Sequence, residues 1–333
     1  MRFRGGHLTT KLALSMSSRI KVIRYGAEQK AGWDNFVAQS KTGTFLFHRN
    51  YMDYHADRFP DCSLMFFNEQ EKLVAVMPAT AQGETLSSHA GLTFGGIVSD
   101  RQMKTPLMLE VFEALKEYLR AAGINRLIYK AVPHIYHLLP AEEDLYALYR
   151  HDAKLVRRDV SSTIELKEKL PLSKGRRYEI KQAQKHGLEV RQSDDFKSFM
   201  AIEEQLLGEK YDSRPVHSAE EMQTLAGRFP ENIKLFTACG NTEMRAGVVI
   251  YESENVAHAQ YIAASDEGKM TGALDLILGY LISDYYSGKK YFDFGISTEN
   301  NGRELNVGLI ENKQSFGARA IVYDFYELEV GND

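Results

Sequence analysis

Apolar and polar positions fall into short blocks that occur twice along the chain in the same order. An apolar run from Leu64 to Phe67, a polar turn from Asn68 to Lys72 and a second run from Leu73 to Met77 read as a hairpin. Leu235 to Ala238, Gly240 to Glu243 and Ala246 to Tyr251 repeat that plan. Arg58-Phe59-Pro60-Asp61 precedes the first hairpin, and Arg228-Phe229-Pro230-Glu231 precedes the second. A further strand follows each, Gly95 to Val98 and Ala257 to Ala264. Helical spacing then takes over, with Met108, Val111, Phe112, Leu115, Tyr118 and Leu119 on one stripe and Leu274, Ile277, Leu278, Leu281, Ile282 and Tyr285 on the other. Each helix runs to a glycine, Gly123 or Gly288, where a left-handed cap is cheap. Each glycine leads into a strand, Arg126 to Tyr129 or Tyr291 to Phe294. Five pieces in one order point to duplication rather than chance.

Antiparallel meanders followed by a helical crossover give a mixed sheet with helices on its faces. The expected fold class is therefore α/β (α+β), with two tandem units, each a mixed, mostly antiparallel sheet flanked by helices. A length of 333 residues accommodates two such units, drawn here at 19–155 and 156–333. Residues 1–18 start basic (Arg2, Arg4), but their apolar stretch is only Leu12 to Leu14 plus Met16. That is too short for the core of a secretory signal, so the segment reads as a disordered leader.

Composition narrows the function. With 44% hydrophobic and 26% charged residues the chain can bury a core, which excludes global disorder. No uncharged apolar run approaches the length of a spanning helix. Cys62 and Cys239 form no CxxC pair, so neither a disulfide framework nor a zinc cluster is expected, and a cytoplasmic location is the simplest one. The charge is unevenly spread. Asp152 to Gln192 holds eleven basic against six acidic side chains, a surplus of five in a chain of net charge −4. With a pI near 6.2, bulk nucleic-acid binding is disfavoured. The chain lacks GxSxG, HExxH, a Walker loop and an early GxGxxG.

The basic window contains Lys174-Gly-Arg-Arg-Tyr-Glu-Ile-Lys-Gln-Ala-Gln-Lys-His-Gly-Leu-Glu-Val190. It resembles the R-x-x-I-K-x-A-x-K-x-G-x-x-V stretch of FemAB-type peptidyltransferases and their relatives, which are double GNAT-fold acyltransferases. Tyr291-Phe-Asp-Phe-Gly-Ile-Ser297 and Gly308-Leu-Ile-Glu-Asn-Lys-Gln-Ser-Phe-Gly317 resemble that family's Y-D-F-G strand and G-L-x-x-F-K-x-x-F-G helix. The motif-bearing likeness covers about Ser161 to Glu327, and the first half agrees in general plan. Two departures are visible: Asn312 stands where the family has an aromatic residue, and no long charged helical hairpin is present. The tRNA-using members often carry such a hairpin. The expectation therefore moves to an N-acyltransferase that takes an acyl group from acyl-CoA (acetyl-CoA) to an amine, such as a nucleotide-linked amino sugar or a cell-envelope precursor. The alternatives are an aminoacyl-tRNA-dependent peptidyltransferase and a non-catalytic GNAT-like binding protein. No metal is implied.

Acyl transfer needs a proton acceptor for the amine, stabilisation of an oxyanion and a proton for the leaving group. Gly268, Lys269, Thr271, Gly272 and Ala273, entering the second striped helix, resemble a degenerate GNAT phosphate loop; an ordinary turn with Thr271 as N-cap fits equally. The resemblance places Lys313, on a helix expected from about Glu304 to Ser315, at the reacting carbonyl; the alternative is a solvent-facing lysine. Arg176, Arg177 and Lys181 either anchor an anionic ligand or form a solvated basic face. Asp293 and Glu299 are candidate bases at the end of a strand, with Asp293 alternatively structural, on the face opposite Phe292 and Phe294. Tyr261 and Tyr323 are among many tyrosines that could protonate the leaving thiol. His89, in the glycine-rich stretch Ser87 to Gly96, is either a base lining the acceptor cleft or an exposed histidine on a bulged strand.

Overall fold

The computed structural model describes residues 19–211, 215–240 and 243–331; the expected leader lies outside them. In chain order the strands are β1 (Lys21–Arg24), β2 (Leu64–Phe67), β3 (Leu73–Met77), β4 (Thr80–Gln82), β5 (Thr85–Ser87), β6 (Val98–Ser99), β7 (Arg126–Lys130) and β8 (Lys154–Glu165). They continue with β9 (Glu189–Ser193), β10 (Ile233–Gly240), β11 (Glu243–Glu252), β12 (Val256–Ala264), β13 (Tyr291–Ile296), β14 (Thr298–Glu299), β15 (Glu304–Leu305) and β16 (Arg319–Glu329). The helices are α1 (Lys30–Gln39), α2 (Arg49–Met52), α3 (Thr105–Ala121), α4 (Glu143–Arg150) and α5 (Lys174–Lys185). After these come α6 (Phe196–Tyr211), α7 (Ala219–Arg228), α8 (Asp266–Met270), α9 (Ala273–Tyr280) and α10 (Val307–Gln314).

The duplicated order is present as two GNAT-like units. Hairpin β2–β3 continues to β6, helix α3 and strand β7; hairpin β10–β11 continues to β12, helices α8 and α9, and strand β13. The two copies close differently. In the second, β12 runs parallel to β13 over three residue pairs, Val256↔Tyr291 to His258↔Asp293. In the first, β6 and β7 lie in separate sheets, and β7 takes β5 as its parallel neighbour. The expected strand Gly95 to Val98 shrinks to Val98–Ser99, because the Gly95 N–H bonds the Lys130 carbonyl and the Ile97 N–H bonds the Tyr129 hydroxyl. The Gly288 cap is also absent. Gly288 carries no left-handed φ, and the chain leaves α9 through a wide turn at Leu281–Tyr285.

One sheet crosses both halves in the order β4-β5-β7-β16-β8-β13-β12-β11-β10-β9. Its joint is β16, antiparallel to β7 on one side and to β8 on the other. The last strand and the residue that follows it therefore contribute Leu328 and Val330 to the first half's core, beside Val111, Phe112, Leu115 and Leu127. A second core, with Ala183, Phe236, Val248, Ile277 and Phe292, lies under α5 and α9. A third joins the halves, bringing Trp33, Phe47, Tyr51 and Phe94 against Phe199, Leu235, Tyr251 and Tyr261.

Leu328 has no exposed surface. Leu328→Ala should cost about 2–5 kcal/mol through the lost transfer energy and the cavity left behind. Hydrogen exchange should show the loss as faster opening of α3, far away in sequence, and unchanged exchange there would contradict the joint.

Candidate active site

The site is built where β12 and β13 part. Beyond His258↔Asp293 the two strands share no ladder, and the pairing of β12 with β11 skips Gln260, since Ile250 faces Ala259 and Val249 faces Tyr261. The skipped residue is a bulge, which turns His258 and Tyr261 to the same side. On the neighbouring strand, the β13–β8 register also slips between Asp293 and Ile296. The result is a fork with its apex at His258 and Asp293.

Asp293 has no exposed surface. Its Oδ1 accepts from Ser161 Oγ (2.6 Å) and Thr163 Oγ1 (2.7 Å), and its Oδ2 accepts from Tyr323 OH (2.9 Å) and lies 2.8 Å from His258 Nδ1. Burial pushes the carboxyl's pKa up, but the bonds from His258, Ser161 and Thr163 outweigh it and hold the group below the usual carboxylate range. An ionised Asp293 needs donors, so in the neutral imidazole it selects the tautomer with the proton on Nδ1, and Nε2 is then the acceptor. Tyr136 of the first half extends the chain, its hydroxyl 3.3 Å from that of Tyr323.

His258 lines a cleft of about 810 Å³ between the halves. Ala259, Gln260, Phe294, Gly295 and Ile296 supply the fork; Ser87, Ala90, Leu92, Thr93 and Lys130 form the facing wall; and Val156, Arg157, Asp159, Tyr323 and Phe325 lie between. A side chain at Gly295 would come within 3.3 Å of His258 Cε1, and the residue has φ +75°, so glycine is required for the strand to pass the imidazole.

The expected residues distribute unevenly around this centre. Asp293 is its core, on the face opposite Phe292 and Phe294. Lys313 is buried, not solvent-facing, and donates to the carbonyls of Gly295 (2.9 Å) and Ile296 (2.7 Å). Burial lowers its pKa to about 8. Its helix starts later than expected, because Glu304–Leu305 pairs with β14 in a small hairpin. Glu299 sits in that hairpin, exposed and accepting from Asn306 Nδ2 at 2.9 Å.

The glycines of the loop pack against the protein's own backbone. A Cβ on Gly268 would lie 2.0 Å from the Arg245 carbonyl oxygen, and one on Gly272 (φ +69°) 2.7 Å from that of Glu179. Thr271 is not an N-cap. Ser265 caps α8, while the Thr271 hydroxyl bonds back to the Glu267 carbonyl at 2.8 Å. Lys269 is paired with Asp266 at 2.7 Å, and Ala273 is buried. Arg176 turns inward to Asp275 and Ser315, both at 2.8 Å, and lies over Phe316; Arg177 and Lys181 stay exposed on α5.

His89 is buried, with φ +62° and its ring stacked 5.3 Å from that of His55. Burial drives its pKa to about 3, so it is no base near pH 7 and no exposed residue. Its neighbours Ser87, Ala90, Leu92 and Thr93 do line the cleft. Tyr261 is bonded to His217 Nδ1, and Tyr323 is committed to Asp293. The reading of the sequence missed His258, Gln260, Lys130 and Arg157. The one available signal was a lone histidine within the small apolar run Val256-Ala-His-Ala-Gln260.

Against known proteins, residues 174–301 match the model of the acetyltransferase (GNAT) domain. The crystal structure of FemX superposes with a TM-score of 0.65 at 9% identity, covering 93% of this chain and 97% of that one. The C-terminal domain of a putative lysylphosphatidylglycerol synthetase from Agrobacterium fabrum gives 0.57 at 12% identity, with 91% and 92% covered. L-PGS from Bacillus licheniformis gives 0.56 at 12%, with 85% and 92% covered. No curated protein sequence matches. The chain thus carries a GNAT domain and has the fold of a double GNAT-type acyltransferase. No helix among the described residues is long and apolar enough to cross a membrane, and no three metal-ligating side chains cluster there.

Two expectations follow. An unfolded chain takes up a proton near pH 6.5 that folded His89 refuses until about pH 3. Stability is therefore lost as pH falls through that window, by up to ~1.4 kcal/mol per pH unit. Denaturant titrations at pH 7 and pH 5 should show a smaller drop for His89→Asn, which tolerates the same backbone, than for the wild type. Gly272→Ala should lower stability by about 1–3 kcal/mol, because the new methyl meets the Glu179 carbonyl at a left-handed position. An unchanged melting temperature would contradict the close packing of Gly272 against Glu179.

Proposed function

We propose that the protein is an N-acyltransferase in which His258, oriented by Asp293, takes the proton of an acceptor amine. The observation that carries the reading is the buried His258–Asp293 pair at the apex of a splayed parallel strand pair, opening onto a cleft between the halves. The proposed division is 19–155 for the wall that receives the acceptor and 156–333 for the donor side.

Acyl-CoA is the proposed donor. Past His258, β12 has no ladder partner on its β13 side, so its backbone groups are free to pair with an extended, amide-bearing acyl arm. The amine nitrogen attacks the thioester carbonyl, forming the C–N bond while the N–H proton passes to His258 Nε2. The C–S bond then breaks, and the departing thiolate takes the proton back from His258, which restores the base. With Lys313 spent on two carbonyls, the bulge at Gln260 is the proposed source of backbone N–H stabilisation for the oxyanion. An amino group on a nucleotide-linked sugar or a cell-envelope precursor is the proposed acceptor, in a cytoplasmic setting.

An aminoacyl-tRNA donor is the second reading. The exposed cations Lys174, Arg177, Lys181 and Lys185 along α5, and the likeness to FemX, favour it. Binding of tRNA that weakens steeply with salt, with no melting shift from any acyl-CoA, would select this reading.

His258→Gln should lower kcat about 10²- to 10⁴-fold in the folded protein, the usual contribution of a positioned base. Full activity in that variant, measured as amine-dependent release of free CoA, would overturn the assignment.

A further inference from the structure

Two cations converge on one aromatic ring in the wall of the cleft. Lys130 Nζ, from β7, lies 5.6 Å from the centroid of Phe325, and the Arg157 guanidinium, from β8, lies 4.6 Å from it. Phe325 belongs to β16, paired on one side with Lys130 and on the other with Arg157. The sheet joint therefore forces the two charges together, and all three side chains line the cleft. Only one charge is answered. Arg157 Nε donates to Asp159 Oδ2 at 2.8 Å, and its Nη1 reaches Asn301 at 3.4 Å. Lys130 makes no ion pair among the described residues; its partners are the carbonyls of His89, Ala90 and Leu92. Burial first, and the positive field of Arg157 second, lower the pKa of Lys130 to about 8.

Holding like charges together in a partly dry cleft is unfavourable, and an anion between them relieves both the repulsion and the unmatched charge. We propose that Lys130 and Arg157 form a binding site for an oxyanion, a carboxylate or phosphate carried by the acceptor, and so select acceptors with an anionic group near the reacting amine. Arg157 supplies its remaining Nη donors, and Lys130 supplies the neighbouring charge. The assignment to the acceptor rests on the acyltransferase reading; the site itself does not.

Binding of inorganic phosphate, pyrophosphate and succinate is to be measured calorimetrically on the full chain at low salt. Phosphates binding more tightly than succinate would assign a phosphorylated acceptor, and the reverse order a carboxylated one. Arg157→Gln should weaken the preferred anion about tenfold or more, the worth of one lost charge-assisted bond. Lys130→Gln should do likewise; because Lys130 also pins residues 89–92, its fold must first be checked by circular dichroism, and Arg157→Gln stands as the independent variant. His258→Gln should bind the anion like the wild type. Absence of anion binding in the wild type, or undiminished binding by folded Arg157→Gln, overturns the site. Anion binding without turnover of any acyl-CoA would instead overturn acyl-CoA as the donor and leave the site standing.

Discussion

The carboxylate of Asp293 is fully removed from water, and the arrangement around it follows from the need to satisfy it there. An ionised carboxylate in that position would cost several kcal/mol if left unpaired. Its donors come from β8 (Ser161, Thr163), β12 (His258) and β16 (Tyr323), so one group fixes the mutual register of four adjacent strands. The same bonds select the His258 tautomer. One of the donors to the buried carboxylate is thus a ring that also lines the cleft.

The two copies of the ancestral plan divide the work through how their sheets close. In the second copy the parallel pair holds for three residues and then splays, leaving backbone groups free and a polar apex between the strands. In the first copy the corresponding strands have separated completely, and the irregular segment from His89 to Ile97 fills the gap. The first half therefore offers a wall and the second a fork. Strand β16 holds them in one sheet, which makes the cleft a rigid feature of the fold and not a gap between loosely tethered domains.

Much of the architecture was legible because hydrophobic periodicity reports burial directly. The hairpins Leu64–Met77 and Leu235–Tyr251, and the stripe of α3, needed only apolar runs bounded by turn residues and 3.6-residue spacing to be seen. The chemistry was less so. Asp293 stood out through its Y-x-D-x-G context, but its partner His258 lies 35 residues earlier on a strand without a motif. Only the parallel register of β12 and β13 makes them neighbours, and register between non-consecutive elements leaves no local trace in sequence. Glycines are ambiguous for a related reason. Gly268 and Gly272 resembled a ligand loop, yet the atoms that exclude a side chain at both are the protein's own carbonyls; the glycine that does serve the cleft is Gly295.

The two buried lysines follow from the same irregularity of the walls. A segment that leaves its ladder exposes carbonyls that still need donors when buried. Lys313 meets that need for Gly295 and Ile296 where β13 slips out of register, and Lys130 meets it for His89, Ala90 and Leu92 in the other half. An ammonium carries three donors on a flexible stem, so it can serve carbonyls that point in unrelated directions, which a rigid guanidinium fork does less well. Both amines are held partly dry, and both have pKa values lowered to about 8 by burial. The two differ in what stands near them. Lys313 has the field of Asp293 in its favour, whereas Lys130 faces Arg157. Equivalent pins in the two halves thus leave one compensated charge at the fork and one uncompensated charge in the wall, and that asymmetry is the physical basis of the anion site proposed for the cleft.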